Sequence, residues 1–342
     1  MIDWDLVERV GGQFAGRPSE PGPTSEALAR VCDESLESVV SYTRLEPAAA
    51  VPPAESISRR EWIAANAASM APLIEGPAAA ASERASGAFR LAASTAMTLE
   101  AGAVLGIISR KILGQYDLAL LPRAGDPPPR LLFVAPNLGE VGGAFGSDAD
   151  DFIRWVAVHE LTHAVQFGAV SWLREYLGDA AAELISSLEV PTPPTERSIG
   201  RVLNGAAGRV AGFADTGDPM RLVLGEKELA LIDRIQSAMA VVEGHAEHVM
   251  DNACPKAIPA LPRIRAAMAQ RRAQPGPAWR VLSKLLGLEM KMKQYRVGRG
   301  FCDYVVSVGG VEALNLVWAG PDALPTSSEL QHPAVWLRRV VA

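Results

Sequence analysis

Residues 154–167 read RWVAVHELTHAVQF, a mostly apolar stretch that carries two histidines four residues apart and a glutamate beside the first. A helix that is apolar nearly all round belongs inside a protein. Polar groups taken there need partners. Any fold open to this chain must therefore wrap around a central helix and give two imidazoles and a carboxylate something to hold.

The spacing has a physical reason. An α-helix turns about 100° per residue, so positions i and i+4 lie one above the other on one face. His159 and His163 can then aim one imidazole nitrogen each at a single ion, in the H-E-x-x-H pattern. Glu160 reaches the open coordination position from the side and can take a proton from a water there. Zinc lowers the pKa of such a water from about 16 to about 7. Hydroxide attacks a polarised carbonyl, and the carboxyl group passes the proton to the leaving amine. A catalytic zinc commonly has three protein ligands. The extension HExxHxxGxxH is excluded, because Gln166 and Ala169 stand where its glycine and histidine would be.

The chain has five histidines, and two more fall in a second cluster, VVEGHAEHVMD (241–251), on an expected helix over 231–250. Glu243 and Glu247 share one face of that helix. His245 and His248 share another, about 200° from Glu243. The helix can offer a metal the acidic face or the histidine face, not both. Ala240 and Gly244 flank Glu243 and leave room for close helix approach. Glu247, one turn on, could accept the free N–H of a ligand histidine. Glu243 is thus the favoured third ligand, with His245 or His248 as alternatives.

Composition narrows the function classes. Net charge is −6 over 342 residues, without the basic patch that nucleic acid or an anionic membrane surface requires. Three separated cysteines, Cys32, Cys254 and Cys302, form neither a disulfide scaffold nor a cysteine zinc site. Asp3 and Asp5 stand where a secretory signal needs positive charge. No stretch reaches 18 residues without a charge, so no membrane-spanning helix is expected. The expectation is a cytoplasmic protein with no nucleic-acid or membrane partner.

Apolar spacing and loop punctuation predict an α+β fold, predominantly helical, with a small sheet beside the histidine helix. Four regions follow: a helical region 1–113, strands and the histidine helix at 114–185, an irregular insertion at 186–230 and a helical region 231–342. Within the first, a helix is expected over 26–43 and another after Ser58, where Glu61 completes a capping box. YDLALL (116–121) and RLLFVA (130–135) read as a strand pair, and LGEVGGAFG (138–146) as a loop. Ser147 and Asp150 form a second expected capping box. Helices are expected at 281–297 and 301–317. The strand at 130–135 is a candidate edge for an extended substrate.

HELTH followed by EGHAEH resembles the gluzincin branch of the zincin metallopeptidases, in which a downstream helix supplies a glutamate. GIISRKILGQYD (106–117), HELTHAVQFGAVSWLREYL (159–177), VEGHAEHVMD (242–251) and MKMKQYRVGRGF (290–301) are similar to a bacterial zincin-like family known as zinc-dependent metalloproteases or deazaflavin-coenzyme-biosynthesis-associated proteins. The resemblance implies a zinc metallopeptidase with His159, His163 and Glu243 as ligands and Glu160 as general base, acting on a peptide or protein substrate. Such enzymes commonly add a donor to the developing oxyanion. Tyr295 is the first candidate, with Tyr116, His245 and His248 behind it. The competing expectation is a zincin-like metal-binding accessory protein with little or no peptidase activity.

Overall fold

The structure is a computed structural model and describes residues 2–82, 87–120, 128–187, 225–273 and 288–341. At its centre lies a strand, β3 (Arg130–Val134), whose Leu131, Leu132, Phe133 and Val134 are all fully buried. A continuous apolar run suits a strand covered on both faces. Leu131 and Phe133 enter one core, and Leu132 and Val134 enter another. β1 (Ala54–Ile57) pairs with β3 in parallel, and β2 (Gly114–Asp117) pairs with it antiparallel, giving the order β1-β3-β2.

This sheet changes three expectations. β1 lies in a Pro-rich stretch of a region read as helical. Four residues are too short for periodicity to register, and pairing with β3 makes them a strand. β2 begins at Gly114 rather than Tyr116. β3 has neighbours on both edges, so it cannot accept a substrate strand; among the described residues β1 and β2 are the two edge strands, and β2 is the one against Glu160.

The N-terminal helices α1 (Trp4–Phe14), α3 (Arg59–Ser82) and α4 (Gly87–Ser109) pack over the β1/β3 face. The expected capping box of α3 is present: the Ser58 N–H donates to Glu61 at 2.7 Å and the Glu61 N–H donates to Ser58 Oγ at 3.2 Å. α2 (Ser25–Thr43) covers the other face, its Thr24 side chain accepting from the Ala27 N–H.

After β3 the chain turns at once into α5 (Ala135–Gly142), where a glycine-rich loop was expected. Pro136 in the first turn presets a helical φ, and burial of Leu138 and Val141 secures the helix. A 3-10 turn over Gly143–Asp148 leads to α6 (Ala149–Ala169). Asp148 makes no side-chain cap there, so the Ser147–Asp150 box does not form; Asp148 pairs instead with Arg263 at 2.7 Å. α6 lies between the sheet, α2 and α8 (Glu226–Asn252), with twelve named positions buried from Phe152 to Gln166.

α7 (Ser171–Ser187) follows α6, and most of the expected insertion, 188–224, lies outside the described residues. α9 (Leu261–Ala273) flanks α6. α10 (Leu288–Asn315) runs unbroken through 298–300, where a break between two helices was expected, and is interrupted instead by a kink at Gly310, φ 75° and ψ −177°; 281–287 lie outside the described residues. Among the described residues one helical stretch, Val297–Trp318, is long and apolar enough to cross a membrane. Its Phe301, Cys302 and Val305 are fully buried in a core shared with α8. The chain closes with α11 (Ser327–Gln331) and α12 (Pro333–Val341), whose Trp336 packs edge-on against Phe301.

Candidate metal centre

α6 and α8 lie side by side, and their contact builds the site. Nε2 of His159 and Nε2 of His163 are 3.2 Å apart, as helical spacing requires. Glu243 Oε2 lies 3.6 Å from the first and 3.7 Å from the second. Ligands at about 2.0–2.2 Å from a tetrahedral zinc are separated by roughly 3.3–3.6 Å, so this triangle has the size of one ion's coordination face. Two imidazoles and a carboxylate are also the donor set that zinc favours. The residues fit the metal that the sequence implies. The side chains of His159, His163 and Glu243 retain 21%, 11% and 27% exposure, so the cluster opens to solvent on one side.

Charges in the cluster are mutually dependent. Burial pushes the His163 imidazolium down, but the Glu243 carboxylate outweighs it and lifts the pKa to about 9. Burial works on Glu243 in the opposite sense, and the two imidazoles override it, holding that carboxyl well below the usual range. A cation seated here takes the place of the proton these groups share.

Glu160 is buried at 6% exposure, and its carboxylate accepts from the Tyr116 backbone N–H. Burial raises its pKa, with the positive charge of His159 and His163 pulling back. The contact is tight. A Cβ at Gly114 would sit 2.6 Å from Glu160 Cγ and 2.9 Å from Oε1, so only glycine lets β2 approach this closely. In the β2–β3 ladder the Val134 N–H donates to Leu113 O, which turns the backbone groups of Gly114 and Tyr116 outward, away from β3 and toward Glu160.

The histidine face of α8 goes elsewhere. His245 is 1% exposed, stacked edge-on against Trp318 at 5.5 Å between centroids, and burial drives its pKa down to about 3. His248 contacts the Tyr42 hydroxyl at 2.7 Å and the Asp303 carboxylate at 2.6 Å. Neither faces the triangle as the alternative ligand sets required. Glu247 lines a groove with Trp155, Arg265 and Arg299, and the partner of His163 Nδ1 is Gln166 Oε1 at 2.9 Å. Gln166 therefore holds the place beside the ligand that the sequence reading gave to Glu247. Its signal was its position three residues after His163, on the same helix face. The Tyr116 ring stacks on Phe167 at 6.2 Å. The side chain of Tyr295 lies outside the described residues.

The sequence profile of the zincin-like metallopeptidase family matches residues 2–337, and the chain belongs to that family. Among solved structures it is similar to a protein from Chloroflexus aurantiacus, provisionally described as a hydrolase with a novel fold. The two share 26% identity and a TM-score of 0.72, over 99% of this chain and 98% of the other. No curated protein matches the chain.

Proposed function

We propose that the protein is a zinc-dependent hydrolase that cleaves peptide bonds. His159, His163 and Glu243 hold the metal, and Glu160 is the general base. The observation that carries this reading is the triangle of Nε2, Nε2 and Oε2 with a buried carboxylate beside it. When bound, zinc would acidify a water and polarise a carbonyl. Glu160, with its pKa raised by burial, is suited to take that water's proton and return it to the leaving nitrogen. The Tyr116 N–H holds Glu160 against β2. The Tyr116 N–H is taken by Glu160, and we assign backbone pairing with an extended peptide to the other outward-facing groups of β2, those of Gly114 and the Tyr116 carbonyl, which run past the base. This favours a peptide over other carbonyl substrates. Enzymes of this kind commonly add a donor to the oxyanion, and Tyr295 is the first candidate for it, with no motif fixing the position. Association with deazaflavin coenzyme synthesis names no chemistry at this site. All three cysteines are buried free thiols, which accords with a reducing, cytoplasmic setting.

Metal analysis and peptide-library turnover of the wild type, Glu160→Gln and Glu243→Ala test the assignment together. Glu160→Gln is expected to keep one zinc per chain and lose about 10²–10⁴-fold in turnover. Glu243→Ala is expected to lose zinc affinity. Wild-type turnover in Glu160→Gln would overturn the base assignment. A zinc-loaded wild type that turns over no peptide would leave the accessory metal-binding reading in its place.

A further inference from the structure

Gln166 is completely buried, one turn past His163, and its side-chain amide makes three hydrogen bonds. Oε1 lies 2.9 Å from His163 Nδ1. Nε2 donates to the Val242 carbonyl at 3.0 Å and lies 2.9 Å from His245 Nδ1. These contacts leave no freedom of orientation. A flipped amide would set its oxygen against the Val242 oxygen, and a carbonyl cannot donate. With Nε2 toward Val242, Oε1 must accept from His163 Nδ1–H. The ring nitrogen facing Glu243 and His159 is then Nε2, which carries the lone pair once the ring is neutral. The second amide hydrogen goes to His245 Nδ1, which must be bare, so His245 carries its proton on Nε2.

We propose that Gln166 is a positioning residue for the metal. It fixes the tautomer and ring angle of His163 from α6 and ties that ligand to the α8 backbone one residue before Glu243. The same amide thus sets a ligand on one helix and its distance from the helix that brings the third. His245 is the acceptor that keeps the amide in register, which explains a buried neutral histidine beside a metal cluster that it does not join. This inference rests on the zinc reading, yet the amide bridge is open to measurement without zinc.

The test has two arms. In 15N-histidine-labelled, zinc-free wild type, long-range 1H–15N spectra report the tautomer of His245. Nε2–H is expected, and Nδ1–H would overturn the bridge. In the second arm, competition with a chromophoric chelator gives zinc affinity for the wild type, Gln166→Leu, His245→Asn and His245→Leu. Gln166→Leu is expected to bind zinc about 10–100-fold more weakly. His245→Asn, whose Oδ1 replaces Nδ1 as acceptor, is expected to match the wild type, while His245→Leu weakens. Undiminished affinity in a folded Gln166→Leu would overturn the proposal. If that variant does not fold, equal affinity in the two His245 variants would do so. A wild type that takes up no zinc refutes the metal reading itself, while the His245 spectrum still decides the bridge.

Discussion

Glu160 shows how a single residue depends on one that carries no chemistry. Its carboxylate fits because position 114 has no side chain. Gly114→Ala is expected to push Glu160 off its place while leaving His159, His163 and Glu243 untouched. A displacement near 1 Å costs on the order of 10²-fold in rate. Turnover should fall by about that factor with zinc content unchanged, as steady-state kinetics and metal analysis would show together. His159, Glu160 and His163 were legible in the sequence because one helix turn places all three. Gly114 and Gln166 were not. A glycine among thirty and a glutamine on an apolar helix acquire a role only from what folds against them.

At the scale of elements, the question was which face of α8 meets α6. Periodicity marked two faces and could not rank them by itself. Room for close approach beside Glu243 was foreseen, and the structure shows which helix uses it. A Cβ on Gly244 would overlap the Gly298 backbone, and one on Gly298 would overlap the Ala240 carbonyl, so α10 rather than α6 occupies that space. α10 holds α8 in one rotation, with Glu243 toward the histidines and His248 toward Asp303. Gly298→Ala must force these backbones apart. Overpacking of this kind costs about 1–3 kcal/mol. A lowered melting temperature with weakened zinc binding is expected, since the same shift moves Glu243. A melting curve matching the wild type would show that the crossing relaxes freely.

Over the whole molecule, segments far apart in sequence close around α6. The sheet draws β1 from one side of α3 and α4 and β2 and β3 from the other. The C-terminal end caps α8 and α10. There the Glu329 carboxylate accepts from Arg339 Nε at 2.7 Å and from the Thr326 N–H at 3.0 Å. Arg339 first, with Thr326 helping, holds the Glu329 pKa below its ordinary 4.5 despite burial. A carboxyl depressed in the folded state adds stability that is complete above the unfolded pKa and fades as pH falls through the folded one. Glu329→Gln is expected to be less stable than the wild type at pH 7. The gap should narrow below about pH 4. Denaturant titrations at pH 7 and pH 3 check this, and a gap that widens in acid would refute the sign.

The sequence by itself determined the helix with its histidine pair, the carboxylate beside the first histidine and the short list of partners on α8. Each of these follows from helix pitch and the chemistry of side chains, which act over a few residues. The tertiary structure alone decided that Glu243 completes the triangle, that β2 is the sheet edge against Glu160 and that the Gln166 amide meets His163. Those choices are made by packing between distant segments, where a missing Cβ or a buried amide selects one arrangement among several that local spacing allows equally.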